Sequence, residues 1–304
     1  MFKIESDYVE ANGLRFHVET CGDPGSSRLA ICLHGFPELG YSWRYQLPAL
    51  AELGYRVWAP DLRGYGKTDR PQSMEDYALE TLMEDVAQLI DASGAESVLL
   101  LAHDWGAIIA WHFAIHRIRD LEGLVIMNVP HPAVIEDQPR NFRQLLRSWY
   151  ILFFQIPWLP EFLLRLGNAK VIGSMFLDMA VNKEQFPEDV LEVYRRAARK
   201  PGALRAMVNY YRALVRGGGM KRLRKRGYPS VETPTLMIWG EQDAALGKEL
   251  TYGTERHVKQ FTIRYLPNAS HWVQQDDPET VNEMLRAWVR QETVPEAPSV
   301  APSV

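Results

Sequence analysis

Ser97-Val98-Leu99-Leu100-Leu101-Ala102-His103-Asp104-Trp105-Gly106-Ala107-Ile108-Ile109-Ala110-Trp111 is the stretch that decides the fold. An apolar run of strand type enters a turn, and a helix-like apolar run leaves it. At the turn one reactive residue, Asp104, stands among the pentad Ala102 to Gly106. This is the layout of a nucleophile elbow, whose sharp turn needs small flanks because larger side chains would collide there. A carboxylate at that position is already ionised and can displace a leaving group from an sp³ carbon, where a serine would first have to lose a proton. The plainer reading of the same residues is a strand-to-helix turn with Asp104 as N-cap.

Outward from the pentad, further parts follow in a telling order. Arg28–Leu33 reads as a buried strand running into His34-Gly35-Phe36-Pro37. Thr235–Trp239 is another strand-like run, ending in Gly240-Glu241-Gln242-Asp243. Phe261–Leu266 then leads into Asn268-Ala269-Ser270-His271-Trp272. Each candidate sits just past a strand end, and the chain order is nucleophile, acid, histidine.

These residues, with Tyr41-Ser42-Trp43-Arg44-Tyr45-Gln46, Asp61-Leu62-Arg63-Gly64-Tyr65-Gly66 and Asn128-Val129-Pro130-His131-Pro132, resemble the α/β-hydrolase-fold epoxide hydrolases. The likeness is to the soluble, epoxide hydrolase 4-like group and runs through nearly all of the chain, weakening at the C-terminal tail. Ala102 stands where Gly is more frequent. The resemblance implies an α/β fold with a mostly parallel eight-stranded sheet, helices on both faces and an inserted all-helical cap. It implies backbone N–H groups of Phe36 and Trp105 as an oxyanion hole. It also implies two cap tyrosines that hold and protonate the epoxide oxygen: Tyr150 in Ser148–Gln155, and Tyr211 in Asn209-Tyr210-Tyr211-Arg212, with Tyr210 the alternative if the register slips by one. Around Asp61 and Arg63 the reading is loop shaping rather than chemistry.

The rest of the chain supplies the frame. Tyr8 to Thr20 reads as a hairpin turning at Asn12-Gly13. Strands are expected at 29–33, 56–59, 98–102, 124–127, 235–239 and 262–266, with helices at 45–53, 79–92, 106–115 and 279–290. Alternation of this kind builds a parallel sheet covered on both faces. It stops from Pro132 to about Pro229, where the text becomes helix-like, aromatic and basic. The expected division is therefore 1–131 and 229–292 as the core, 132–228 as the cap, and 293–304, rich in Pro, Ala, Ser and Val, as a disordered tail.

Composition narrows the function classes. A net charge of −4 over 304 residues gives no reason to expect nucleic acid or membrane as partner. Two cysteines, Cys21 and Cys32, are too few for a disulfide framework and point to reduced thiols in the cytoplasm. The N-terminal residues lack the apolar core of a signal peptide, and no run reaches the length of a membrane span. The histidines show no metal-ligand spacing, Gly217-Gly218-Gly219 lacks the Lys-Ser/Thr of a phosphate loop, and no cofactor is expected. Lys221–Arg226 reads as a solvated surface. Expected partners are a small apolar epoxide and water, the protein being a monomer or homodimer.

The expected reaction is attack by Asp104 on an epoxide carbon, then hydrolysis of the alkyl ester by water that His271, oriented by Asp243, activates. Two kinds of alternative stay open. Haloalkane and haloacetate dehalogenases share the Asp nucleophile. The former place a Trp after it as here, often with Asn where this chain has Phe36, and Trp149 or Trp158 would then offer a second halide contact. The latter usually place Arg after it, and Trp105 cannot grip a carboxylate. The other alternative is a non-catalytic binder of a small apolar ligand, since fold alone does not establish activity.

Overall fold

The computed structural model describes residues 2–137 and 147–298. Eight strands form one sheet: β1 (Glu5–Ala11), β2 (Leu14–Cys21), β3 (Arg28–Leu33), β4 (Arg56–Pro60), β5 (Ser97–His103), β6 (Gly123–Met127), β7 (Thr235–Gly240) and β8 (Phe261–Leu266), in spatial order β1-β2-β4-β3-β5-β6-β7-β8. The first two pair antiparallel about the Asn12-Gly13 turn, and β2 pairs antiparallel with β4. All remaining pairings are parallel.

The strands that looked continuously apolar are those buried on both faces, as a parallel sheet demands. Alternate side chains divide between two layers. Leu29, Ile31, Leu33, Leu100 and Ala102 join one apolar cluster, while Ala30, Cys32, Leu99 and Leu101 join the other. Helices α1 (Gln46–Ala51), α2 (Leu79–Ser93) and α3 (Trp105–Ile115) cover the sheet, α1 on the second layer and α2 and α3 on the first. The α3 sequence Trp-Gly-Ala-Ile-Ile-Ala-Trp-His-Phe-Ala-Ile has no polar face, and all its residues but Ile108 are buried.

Between β6 and β7 the described residues form no strand of the sheet. They hold α4 (Pro132–Asp137), α5 (Trp149–Phe153), α6 (Leu159–Met179), α7 (Glu188–Ala198), α8 (Ala203–Arg216) and α9 (Gly219–Arg226). Two helices, α10 (Val273–Asp276) and α11 (Pro278–Val289), follow β8. Asp277 caps α11 by accepting from the Thr280 N–H, and Pro278 occupies the first turn, where its missing N–H costs nothing.

The C-terminal expectation is corrected in its first half. Val294 is buried against the second core layer, and the Arg264 guanidinium donates to the Val294 and Pro295 carbonyls. The Pro-Ala-Ser composition carried no sign of this anchor, because its other half lies on β8. Residues 299–304 lie outside the described residues.

Candidate active site

In a parallel sheet the loops after the strands all emerge at one edge, and ligands bind in the crevice where strand order reverses. Here β3 lies between β4 and β5, so that crevice opens at the carboxyl ends of β3 and β5. The loop after β3 brings Phe36 there and the turn after β5 brings Asp104.

Asp104 has φ 46° and ψ −121°, a conformation few residues adopt. Two glycines make room for it. A Cβ on Gly35 would fall 2.2 Å from Asp104 Oδ1, and one on Gly106 would fall 2.3 Å from the Leu33 carbonyl oxygen. Asp104 does occupy the N-cap position of α3, but its side chain makes no capping hydrogen bond to the helix. It turns away from the helix and accepts from the Phe36 N–H at 2.6 Å. Trp105 is the first residue of α3, where a helix leaves its N–H groups without helical carbonyl partners. One backbone donor, the Phe36 N–H, thus reaches the carboxylate, and the Trp105 N–H is left without a partner inside the helix.

His271 stands on its other side. Its Nε2 lies 3.6 Å from Asp104 Oδ2, and its Nδ1–H donates to Asp243 Oδ2 at 2.7 Å. Asp243 is fixed in turn by the N–H groups of Ala245 (2.7 Å) and Leu246 (2.9 Å) on Oδ1 and by the Asn128 side-chain amide on Oδ2 (2.8 Å). Burial opposes the charge on all three groups, but their mutual attraction wins. Both carboxylates are held below the usual aspartate range by His271 and by hydrogen bonds, and His271 is pushed well above the usual histidine range by Asp243 and Asp104.

The two tyrosines enter from the helical insertion. Tyr150 on α5 and Tyr211 on α8 line a cavity of about 270 Å³ together with Phe36, Asp104 and His271. Their rings meet edge to face at 5.9 Å. Burial, then the charge of Asp104, raises both phenols above the ordinary tyrosine range, so they stay protonated donors. Tyr210 lies elsewhere: its hydroxyl donates to the Arg63 carbonyl at 2.8 Å in the buried interior. A second cavity of about 300 Å³, lined by Ile108, Val129, Ile151 and Leu214 among others, shares Asp104, Tyr150 and Tyr211 with the first.

Some supporting residues escaped the reading of the sequence. Asn128 holds φ 49° and braces Asp243 from the end of β6: it donates to Asp243 and accepts from the Gly240 N–H at 2.9 Å. Glu38 and His103 are fully buried and pair at 2.7 Å, and the other nitrogen of His103 is 2.8 Å from the His271 carbonyl oxygen. Glu38 also accepts from the Gly35 N–H and from the amides of Gln274 and Gln275, tying the loop after β3 to α10. The one signal in the sequence was position, Glu38 and His103 each standing within the motifs. Asp61 and Arg63 shape loops as expected: Asp61 accepts from the N–H groups of Gly40 and Lys67, and Arg63 grips Asp85 through two nitrogens. Among the described residues no cluster of three or more His, Cys, Asp or Glu is placed to hold a metal ion.

The family described as alpha/beta hydrolase fold matches residues 31–278. The chain belongs to the α/β-hydrolase family. This α/β-hydrolase is 39% identical to epoxide hydrolase 4 of Homo sapiens over 291 residues, covering 94% of this chain and 78% of the relative. It is 37% identical to the AB hydrolase superfamily protein YfhM of Bacillus subtilis, covering 94% and 98%. Among solved structures it superposes on the Bacillus megaterium epoxide hydrolase in complex with an inhibitor with a TM-score of 0.84 at 28% identity, over 93% of this chain and 100% of that one. Potato epoxide hydrolase I gives a TM-score of 0.82 at 29% identity, over 95% and 100%.

Proposed function

We propose that this α/β-hydrolase is an epoxide hydrolase, converting an epoxide and water to a vicinal diol through a covalent ester on Asp104. The observation that carries this reading is one cavity holding a carboxylate nucleophile opposite two protonated phenols. The opened ring leaves an alkoxide, a poor leaving group that needs a proton donor, and phenols supply one at neutral pH.

In the first step an Asp104 oxygen attacks a ring carbon and the C–O pair moves onto the epoxide oxygen, which takes a proton from Tyr150 or Tyr211. Esterification removes the Asp104 charge, one of the two that hold the His271 proton. With that charge gone, His271 gives its proton up to solvent water and stands neutral, and it takes a proton back from solvent once the Asp104 carboxylate is regenerated. In the second step neutral His271 takes a proton from water, and the hydroxide attacks the ester carbonyl. The Phe36 and Trp105 N–H groups stabilise the oxygen that becomes negative, a role supported by the Phe36 N–H bond to Asp104. Collapse expels the diol oxygen, which takes the proton from His271, and the acid proton returns to the phenolate. Asp243 keeps the imidazole oriented and stabilises its charged form. Helices α4–α9 act as the cap that delivers the tyrosines, and the two buried free thiols fit a reducing compartment such as the cytoplasm.

Dehalogenation is not favoured. Trp149 lines the cavity, but Trp158 is 84% exposed and is no halide contact. Parallel incubation with styrene oxide, a haloalkane and fluoroacetate tests the reading. Diol from the epoxide is expected. Halide release outpacing diol formation would replace it with a dehalogenase, and no turnover of any epoxide would favour a binding protein.

A further inference from the structure

Helices α5 and α6 break the usual rule of amphipathic helices, in which the apolar stripe faces the core. On the first segment of α6, Leu159, Phe162 and Leu163 recur at the spacing of one helical face, Leu166 follows where the helix kinks through residues 166–169, and all four are exposed, Phe162 to 61%. The same helix buries Pro160 and Leu164. Just before it, Trp149 and Leu152, one turn apart on α5, are 61% and 68% exposed, and Trp158 stands in the connection between the helices. A cluster of exposed large apolar side chains of this kind marks an interaction face.

Charge identifies what it faces. Between residues 147 and 177 the one acid is Glu161, and the Arg212 guanidinium neutralises it. Arg147, Arg165 and Lys170 are exposed in the same stretch. Beside Phe162 a depression of about 200 Å³ is lined by Arg165, Lys200 and Arg205 together with Glu161, whose charge Arg212 pairs. Arg165 and Arg205 have no carboxylate within ion-pair distance among the described residues. A net charge of −4 for the chain hides this local excess because it averages over the whole surface. Cations around exposed Trp, Phe and Leu are the composition of an interfacial lipid-binding face, in which rings sit at headgroup depth and Arg meets phosphate. A second copy of the chain fits less well, because a two-fold contact lays each patch on itself and sets like charges together.

We propose that the outward face of α5 and α6 docks on an anionic lipid surface, from which apolar substrate enters the catalytic cavity. The entry route follows from Trp149, which belongs both to this face and to the cavity wall. The docking stands on the surface alone, while the delivery of substrate rests on the epoxide hydrolase reading.

Co-sedimentation of the full chain with vesicles tests it, comparing phosphatidylcholine with equal parts of phosphatidylcholine and phosphatidylglycerol. The protein is expected to bind the mixed vesicles, more weakly as salt rises. Arg165→Gln with Arg205→Gln is expected to weaken that binding roughly thirtyfold, from about a factor of five per cation. Trp158→Glu with Phe162→Glu is expected to abolish binding while leaving hydrolysis of a water-dissolved epoxide unchanged, which also reports correct folding. Hydrolysis of an epoxide dissolved in the vesicles falls in the same variant. Undiminished binding by both double variants, or none by the parent on mixed vesicles, would overturn the proposal. So would a lipid-free dimer that Trp158→Glu with Phe162→Glu converts to monomer, since the face would then be a self-interface. Vesicle binding without turnover of any epoxide would sink the substrate route and leave the docking.

Discussion

At the scale of single residues, the site depends on charges whose energies are set by neighbours a few ångströms away. Asp104→Ala is expected to fold and lose all turnover, because the attacking atom is gone. His271→Gln leaves the nucleophile in place, so ring opening continues while ester hydrolysis stalls. Mass spectrometry of that variant after excess epoxide should find an adduct on the peptide holding Asp104, and an adduct on any other peptide counts against the assignment. Asn128 gives a subtler case. Its amide is one of three donors on Asp243 apart from His271, and a hydrogen bond to a charged acceptor contributes about 1.5–3 kcal/mol. Asn128→Ala should slow ester hydrolysis about tenfold or more while ester formation barely changes. Equal rates for both steps in parent and variant would make Asn128 a bystander.

At the scale of elements, the question is what α5 and α8 contribute by carrying Tyr150 and Tyr211 to a carboxylate at the end of β5. Either phenol can donate, so Tyr150→Phe and Tyr211→Phe should each slow alkylation at the low end of the about 2–4 kcal/mol expected for a lost donor, and the pair should nearly abolish it. Phe keeps the ring and its edge-to-face contacts, so melting temperatures should stay level. Tyr210→Phe is the internal control. Its hydroxyl serves the Arg63 carbonyl, so that change should lower stability and spare alkylation. Had the register of α8 differed by one residue, these outcomes would exchange. The pattern Asn-Tyr-Tyr-Arg cannot distinguish them, since both are aromatic and both are buried. Rotation of the helix about its axis decides, and that is set by packing against Trp105, Phe36 and Phe154.

At the scale of the whole molecule, buried neutral histidines tie stability to pH. His112 and His131 lie inside the fold, each with a ring nitrogen that has no hydrogen-bond partner among the described residues, and burial lowers each to about 3. A histidine depressed in the folded state contributes stability that is complete above its unfolded value near 6.5 and lost as pH falls toward 3. The depressed carboxylates of Asp104 and Asp243 act in the same direction at the lower end. The melting temperature should therefore fall steadily below about pH 6.5, and His112→Phe with His131→Phe should make that fall shallower. An unchanged slope would mean the histidines are not the titrating groups. On the proposed mechanism activity has its own acid limit, because ester hydrolysis would need neutral His271 whereas ester formation would need only ionised Asp104. Single-turnover measurements should thus show hydrolysis failing at a higher pH than alkylation.

The sequence by itself determined what local chemistry dictates. Continuous Val, Ile and Leu runs between helical periods forced a parallel sheet with both faces covered. Small residues around Asp104 forced the strained turn, and the order Asp104, Asp243, His271 followed from strand ends at one sheet edge. Other features depended on groups far apart in the chain. Glu38 and His103 meet across 65 positions, Asn128 and Asp243 across 115, and Arg264 reaches the tail across 30. Each of these partners is an ordinary polar residue in its own segment, and only folding turns it into a brace. The outward stripe of α6 makes the same point from the opposite side. Its 3.6-residue spacing is written in the sequence, but spacing alone cannot tell a face that meets the core from one that meets the surroundings. Tertiary packing decides that direction, because it commits the other face, with Pro160 and Leu164, to the interior and leaves Leu159, Phe162, Leu163 and Leu166 outside.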